Sequence, residues 1–248
     1  MERGKSWFRQ NRLKNETDEL ELKDQRVTKK SLSIVTILAL CLAGPATWAQ
    51  ARVDEVGEQL VNDFIDNVIT LQGRFEQSLI DAEGIIQERS SGTLEIERPG
   101  RFRWSYSEPY EQWLVADGLN IWSYDVDLAQ VTVKPQATAL ANTPALLLGG
   151  SEDALSQFSF DGSMVENGTT WVRMIPIDTK SGFERMELGF MSGQLTRMVF
   201  FDNLEQTTLV ALYDVTTNEP IDSERFEFQV PDDADLVGTP VTAEETTP

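Results

Sequence analysis

The stretch from Glu97 to Ser107, ERPGRFRWSYS, constrains the fold more than any other part of the chain. Its Pro99-Gly100 dipeptide predicts a tight turn, because proline presets φ and glycine accepts a positive φ. The residues after the turn alternate strictly, with Phe102, Trp104 and Tyr106 on one face of a strand and arginines and serines on the other. Three aromatic side chains in a row commit that face to a large apolar partner.

Arg98 stands immediately before this turn, at the mouth of the apolar face. A guanidinium group is a planar fork of N–H donors, so it is able to reach backbone carbonyls of a segment that covers the face. The residues alone leave a second interpretation open, in which this is an ordinary core strand beside an exposed arginine.

Short segments with a period of two residues follow one another through most of the chain, bounded by turn dipeptides such as Asp117-Gly118 and Asn167-Gly168. The pattern predicts a mainly β protein with some helix, built on a single curved antiparallel sheet of about eleven strands, an unclosed β-barrel. The alternation of Phe226, Phe228 and Val230 is interpreted as its last strand.

Two helical segments are the only candidates to cover the apolar face of this sheet. Between residues 53 and 70, apolar residues that include Ile65 recur at helical spacing, which predicts an amphipathic helix. Residues 136–156 are rich in Ala and Leu, and a short helix is predicted to begin at Pro144 and end at Gly149. We expect these two segments to form a helical lid.

Residues 1–51 are interpreted as a leader that ends in a secretory signal peptide. Lys29-Lys30 is a positive region, residues 34–43 are mostly apolar, and Ala49-Gln50-Ala51 is a cleavage pattern. The apolar run is too short to be a permanent membrane anchor. Residues 1–28 are long and mixed in charge for such a leader, and one hypothesis is that translation starts downstream of them.

No linker divides residues 52–235, which are therefore predicted to form one domain. From Pro231 onward acidic residues, threonine and proline predominate, a composition typical of disorder. We assign residues 236–248 as a disordered acidic tail.

Charge and missing residue types exclude several functions. The chain carries a net charge of −20, which argues against nucleic acid and against an anionic membrane surface as partners. It has no histidine, and its single cysteine, Cys41, lies in the leader. The mature domain is therefore expected to have no Cys/His metal site, no disulfide, no Ser-His-Asp triad and no cofactor. A carboxylate pair such as Asp117 with Asp125 would suit a glycosidase, but acids in such turns usually cap local backbone.

Five segments together resemble the LolA family, the periplasmic outer-membrane lipoprotein carriers. In chain order the segments are 75–77 (FEQ), 98–104 (RPGRFRW), 114–118 (LVADG), 122–125 (WSYD) and 142–148 (NTPALLL). Each is weak alone, whereas their order and spacing are specific, and the likeness covers roughly residues 55–235.

The resemblance implies a monomeric periplasmic carrier without catalytic activity. Such a carrier takes lipoproteins from an inner-membrane ABC exporter, shields their acyl chains in a hydrophobic cavity and passes them to an outer-membrane receptor. It also implies that Arg98 closes the lid through hydrogen bonds to lid backbone and so governs cargo release. The residues expected to line the acyl-chain cavity are Ile65, Phe102, Trp104, Tyr106 and Leu147.

Two other functions stay open at this stage. One is a sensor domain of the same fold that binds lipoprotein or peptide and regulates a membrane partner. The other is a glycan-binding module or glycosidase, because tryptophans stack on sugars as readily as they contact lipid. The Ala/Leu composition of the predicted cover suits acyl chains better than hydroxyl groups.

Overall fold

A computed structural model describes residues 45–139, 149, 155–178 and 181–242 of the chain. These residues belong to one compact unit, residues 44–248, whereas a separate unit, residues 1–43, lies outside the described part. Most of the predicted signal peptide therefore lies outside the described residues, and its cleavage stays a prediction.

A helix of 23 residues, α1 (Pro45–Asn67), precedes the sheet. It begins at a proline, which suits the first helical position because the N–H there has no partner within a helix. The sequence predicted a start near Val53, so the observed helix is longer and runs through the predicted cleavage pattern. Val56 lies at the helical spacing of the predicted apolar face but is exposed. The buried face of α1 consists of Gly57, Val61, Phe64 and Ile65.

Twelve strands form one sheet. They are β1 (Thr70–Ile80), β2 (Ile86–Glu97), β3 (Arg101–Glu108), β4 (Gln112–Asp117), β5 (Asn120–Asp125), β6 (Gln130–Pro135), β7 (Phe158–Glu166), β8 (Thr169–Pro176), β9 (Phe183–Met191), β10 (Gln194–Asp202), β11 (Thr207–Thr217) and β12 (Asp235–Val237). Strand β1 pairs with both β2 and β11, which joins the meander β1–β6 to the meander β7–β11. Strands β7 and β12 are the two edges, so the sheet is unclosed. The predicted mainly β fold with a single unclosed antiparallel sheet is confirmed.

The C-terminal part of the chain differs from the prediction. Phe226 to Val230 is not a strand: residues Ser223–Phe226 form a 3-10 turn, and 227–230 are irregular. The segment predicted to be disordered from Pro231 onward instead contains β12, which pairs in parallel with β6. Beyond it, the Val241 N–H donates to the Asn120 side chain at 2.8 Å.

The physical reason is that β4 and β5 carry apolar residues on both faces, and β6 carries them on the face away from α1. On the face away from α1, five buried residues form a second hydrophobic cluster: Val115, Trp122, Tyr124, Val131 and Val133. We call residues 223–237, which pack over this cluster, the C-terminal strap. Within it, the Phe228 ring stacks on Trp122 with the centroids 5.3 Å apart. The apolar positions of the strap are therefore used for covering a sheet face and not for pairing as a strand.

The opposite face, which we call the inner face, carries the main hydrophobic cluster. Val61, Phe64 and Ile65 of α1 belong to this cluster, together with side chains from β1–β5 and β7–β11. Phe64 meets Phe190 of β9 edge to face at 6.2 Å. Helix α1 thus covers part of the inner face.

The connection from β6 to β7 contains the second predicted lid segment. Its described parts are a short helix, α2 (Gln136–Ala139), the buried residue Gly149, and a 3-10 turn at Leu155–Gln157. The predicted helix start at Pro144 lies outside the described residues.

Candidate functional site

Arg98 connects the turn between β2 and β3 to the C-terminal end of α1. Its guanidinium Nη1 donates to the backbone carbonyl of Phe64 at 2.9 Å and also to that of Val68. The guanidinium carbon lies 4.5 Å from the centroid of the Phe64 ring. The last carbonyls of a helix have no partner within the helix and lie at the negative end of its dipole. The arginine fork therefore caps the helix that covers the inner face.

Desolvation of the buried Arg98 side chain opposes these contacts. The residue is only 8% exposed, and desolvation by burial lowers the pKa of Arg98 to about 10. The guanidinium is still charged at neutral pH, so its hydrogen bonds are charge-assisted and each contributes about 1.5–3 kcal/mol. A contact of this kind is strong when closed, yet it is opposed by the hydration that the group regains when α1 moves away.

The Pro99-Gly100 turn also holds the connection between β6 and β7. The N–H of Gly100 donates to the carbonyl of Gly149 at 2.6 Å. The buried side chain of Gln136 donates through Nε2 to the Gly100 carbonyl at 2.6 Å and accepts from the Gly118 N–H at 3.0 Å. One turn thus contacts α1 through Arg98, and through Gly100 it contacts two of the three described parts of the second predicted lid segment, α2 and Gly149. We call this set of contacts the turn junction.

The predicted aromatic face is confirmed in its geometry. Phe102 is fully buried, Trp104 is nearly so and Tyr106 is half-buried, all on the inner face. Phe75 of β1 packs edge to face against both Trp104 and Tyr106, with centroid distances of 5.1 Å in each case. Burial raises the pKa of Tyr106, whose hydroxyl donates to Gln77 Oε1 at 3.4 Å.

The predicted cavity residues fall into one packed cluster. Ile65 of α1 is buried in the same cluster as Phe102 and Trp104. Leu147 lies outside the described residues. The structure therefore brings the described members together as a closed apolar core, while their role towards acyl chains stays a prediction.

Sequence reasoning missed the anchor of the N-terminal half of α1. The Ser163 N–H of β7 donates to Asp54 Oδ1 at 2.8 Å, and the Ser163 hydroxyl donates to the Val53 carbonyl at 2.7 Å. Gly57 makes this approach possible, because a Cβ there would lie 2.5 Å from that of Ser163. The glycine in the middle of an amphipathic helix was the available signal, since glycine disfavours helix and needs a packing reason.

The described residues contain neither a grouping of metal ligands nor a helix suited to span a membrane. Among them, no group of three or more His, Cys, Asp or Glu is placed to hold a metal ion. No helix in the described part of the chain is both long and apolar enough to cross a membrane. Asp117, considered above as half of a carboxylate pair, accepts from the Leu119 and Asn120 N–H groups and from the Trp122 indole. It acts as a turn former, as its Asp-Gly context indicated.

Fold and site together define an unclosed β-sheet protein whose apolar inner face is partly covered by a helix that a buried arginine caps. Residues 66–229 match the family model described as outer membrane lipoprotein carrier protein LolA. The chain belongs to this family.

Individual relatives agree. An outer-membrane lipoprotein carrier protein from Alkalilimnicola ehrlichii is 38% identical over 84% of this chain and 96% of its own length. Its counterpart from Nitrosomonas europaea is 34% identical over 83% of this chain and 98% of its own. A third, from Halorhodospira halophila, is 39% identical over 72% of this chain and 84% of its own.

Proposed function

We propose that this protein is a periplasmic carrier of lipoproteins that shields their acyl chains against the inner face. It receives cargo from an inner-membrane ABC exporter, hands it to an outer-membrane receptor, works as a monomer and catalyses no reaction. The names of its relatives support the lipoprotein as cargo. The observation that carries the mechanism is the capping of α1 by Arg98, whose hydrogen bonds go to backbone carbonyls while its guanidinium lies against the ring of Phe64, a member of the apolar cluster.

Release is the difficult step for such a carrier. Each buried methylene of an acyl chain contributes about 0.8 kcal/mol, so a cavity that is always open would hold its cargo too tightly. Closing contacts that form in the empty protein and break in the loaded one offset this gain. The Arg98 hydrogen bonds and the turn junction are contacts of this kind, because they join the sheet to the segments that cover it.

One buried donor gives the cavity a polar feature. The indole Nε1 of Trp104 is buried and has no hydrogen-bond partner among the described residues. An unsatisfied buried donor costs about 1–3 kcal/mol, and the ester or amide carbonyl of a lipid would satisfy it. We therefore expect Trp104→Phe to weaken binding of an acyl-ester probe more than binding of a plain hydrocarbon of equal length. Equal weakening of both would remove this role from Trp104.

The first test is binding of a fluorescent acyl probe to the mature protein, residues 52–248, with a triacylated lipopeptide as competitor. Saturable binding that the lipopeptide displaces is the expected result. A well-folded protein that binds no probe would mean that the inner face is an ordinary closed core. Transfer of a radiolabelled lipoprotein from the loaded protein to purified receptor then tests the handover itself.

A further inference from the structure

The end of the sheet opposite to Arg98 carries a row of five turns. Because the strands alternate in direction, the connections β1–β2, β3–β4, β5–β6, β8–β9 and β10–β11 all lie at this end. Their described residues are 81–85, 109–111, 126–129, 177–178, 181–182 and 203–206. Neighbouring turns are two strands apart along the sheet, so with about 4.8 Å per strand the row extends over roughly 40 Å. We call this row the distal rim.

Each of the five turns exposes a large apolar side chain. These side chains are Ile85, Tyr110, Leu128, Ile177 and Leu204, with exposed fractions between 60% and 77%. The hairpin turns at the Arg98 end, residues 98–100, 118–119, 167–168 and 192–193, are built mainly from Gly, Asn, Ser and Pro and expose no large apolar side chain. Single exposed apolar residues need no explanation, whereas one on every turn of one end of a sheet does.

Three of these apolar residues are held in fixed turns by the same device. An aspartate earlier in the turn accepts a hydrogen bond from the backbone N–H of the exposed residue. Asp81 binds the Ile85 N–H at 2.8 Å, and Asp125 binds the Leu128 N–H at 3.0 Å. Asp202 binds the Leu204 N–H at 2.8 Å. A backbone that is already ordered loses less entropy when its side chain is bound, which favours a role in binding.

The rim is also acidic. Exposed carboxylates in or beside these turns belong to Glu83, Glu108, Glu111, Asp127 and Glu205. The described residues of the five turns include no lysine or arginine; Lys180 of the β8–β9 connection, which lies outside them, is the one basic residue that the sequence places in these connections. An anionic membrane surface would repel such a rim, and so would the rim of a second copy. A protein surface of apolar residues bordered by lysine and arginine complements both its properties.

We propose that the distal rim is a docking surface for a partner protein that presents an apolar patch with a basic border. The row is long enough for a standard interface, which buries roughly 800 Å² on each partner. This surface lies at the other end of the strands from the turn junction, so a bound partner leaves Arg98 accessible to movement of α1. The proposal goes beyond the carrier function and does not depend on the nature of the cargo.

The test compares two matched triple variants, neither of which changes the charge of the protein. The rim variant carries Ile85→Ser, Leu128→Ser and Leu204→Ser. The control variant carries Ile69→Ser, Val165→Ser and Met191→Ser, which are exposed near the Arg98 end of the strands. The probe is a labelled amphipathic peptide of leucine and lysine, with a leucine–glutamate peptide and a lysine–serine peptide for comparison. Thermal melting and urea unfolding establish that both variants remain folded.

We expect the leucine–lysine peptide to bind the wild type and to protect turns 81–85, 126–129 and 203–206 from hydrogen exchange. The rim variant should bind it at least about tenfold more weakly, and the control variant should bind it like the wild type. Equal weakening by both variants, or protection away from the rim, would overturn the proposal. So would equally tight binding of the lysine–serine peptide, which would indicate general attraction to an acidic protein.

Two further outcomes would reassign the rim. Protection of these turns by vesicles of phosphatidylcholine and phosphatidylglycerol would make it a membrane-contacting surface. Concentration-dependent dimers in sedimentation that the rim variant abolishes would make it a contact between copies of this chain. Either result replaces the proposed partner protein.

Discussion

Arg98 and Phe64 meet twice: the guanidinium donates to the Phe64 carbonyl at 2.9 Å and lies 4.5 Å from the centre of its ring. The ring itself is buried in the main hydrophobic cluster, whereas the carbonyl is one of the last four of α1, which have no partner within the helix. Phe64 therefore couples two contacts of α1. Its ring packs in the apolar inner face, and its carbonyl accepts a hydrogen bond from Arg98 that water could replace when the helix moves away.

Arg98→Leu should leave the protein folded but slow the transfer of cargo to the outer-membrane receptor. Loss of the cap removes charge-assisted hydrogen bonds of about 1.5–3 kcal/mol each from the closed state, so α1 opens more readily and cargo is held more tightly. We expect faster hydrogen exchange in the last turns of α1 and an acyl-probe affinity raised about tenfold. Arg98→Lys is the control. It keeps the positive charge but loses the planar fork of donors, so its transfer rate and its acyl-probe affinity should lie between those of Arg98→Leu and the wild type. Equal transfer by Arg98→Leu and wild type would contradict this role.

Gly57→Ala should destabilise the docking of α1 on β7. The added Cβ would lie 2.5 Å from the Cβ of Ser163, and overpacking of this kind costs about 1–3 kcal/mol. In a Ser163→Gly background the clash with that Cβ is gone, and alanine becomes about 1 kcal/mol better than glycine within the helix. Urea unfolding of the wild type, both single variants and the double variant measures the coupling. If Gly57→Ala lowers the free energy of unfolding equally in both backgrounds, residue 57 does not pack against residue 163 and the docking of α1 on β7 through this contact is wrong.

The buried hydroxyl of Tyr106 should lower the free energy of unfolding at alkaline pH. Burial raises the pKa of its hydroxyl above the value of about 10 expected for the unfolded chain. As the pH rises above about 10, the unfolded state therefore releases the proton first, and the free energy of unfolding falls; below that pH the group contributes no such dependence. Tyr106→Phe should remove this part of the decline. Urea unfolding of both proteins at about pH 8 and about pH 10.5 makes the comparison, and parallel declines would show that other groups are responsible.

Phe226→Ala should be far more destabilising than Phe228→Ala. Phe226 is 1% exposed, so its truncation leaves a cavity and costs about 3–5 kcal/mol. Phe228 is half-buried on Trp122, and its loss should cost about 1 kcal/mol. Chemical unfolding followed by tryptophan fluorescence measures both. If both variants lose the same free energy of unfolding, the two phenylalanines hold the C-terminal strap equally and Phe226 is not its main contact.

Patterns confined to neighbouring residues predicted local structure well. The alternation of Phe102, Trp104 and Tyr106 placed all three on one buried face, because the two-residue period of a strand is a property of its backbone. The same period in Phe226, Phe228 and Val230 led to a wrong strand, because alternating burial also arises where an irregular segment packs on a surface. Whether such a segment joins the sheet depends on an available edge, which local sequence does not record.

The sequence by itself determined the alternating strands, their turns, the acidic surface and a guanidinium next to the aromatic row. Tertiary structure alone decided that β1 joins the two meanders, that Arg98 caps α1 at Phe64, and that strands β4 and β5 bury both faces. It also decided that Gly57 lies against Ser163, across more than a hundred residues of chain. The physical reason is range: backbone period and turn chemistry act between neighbours, whereas caps, second cores and close approaches require partners that only the folded sheet brings together.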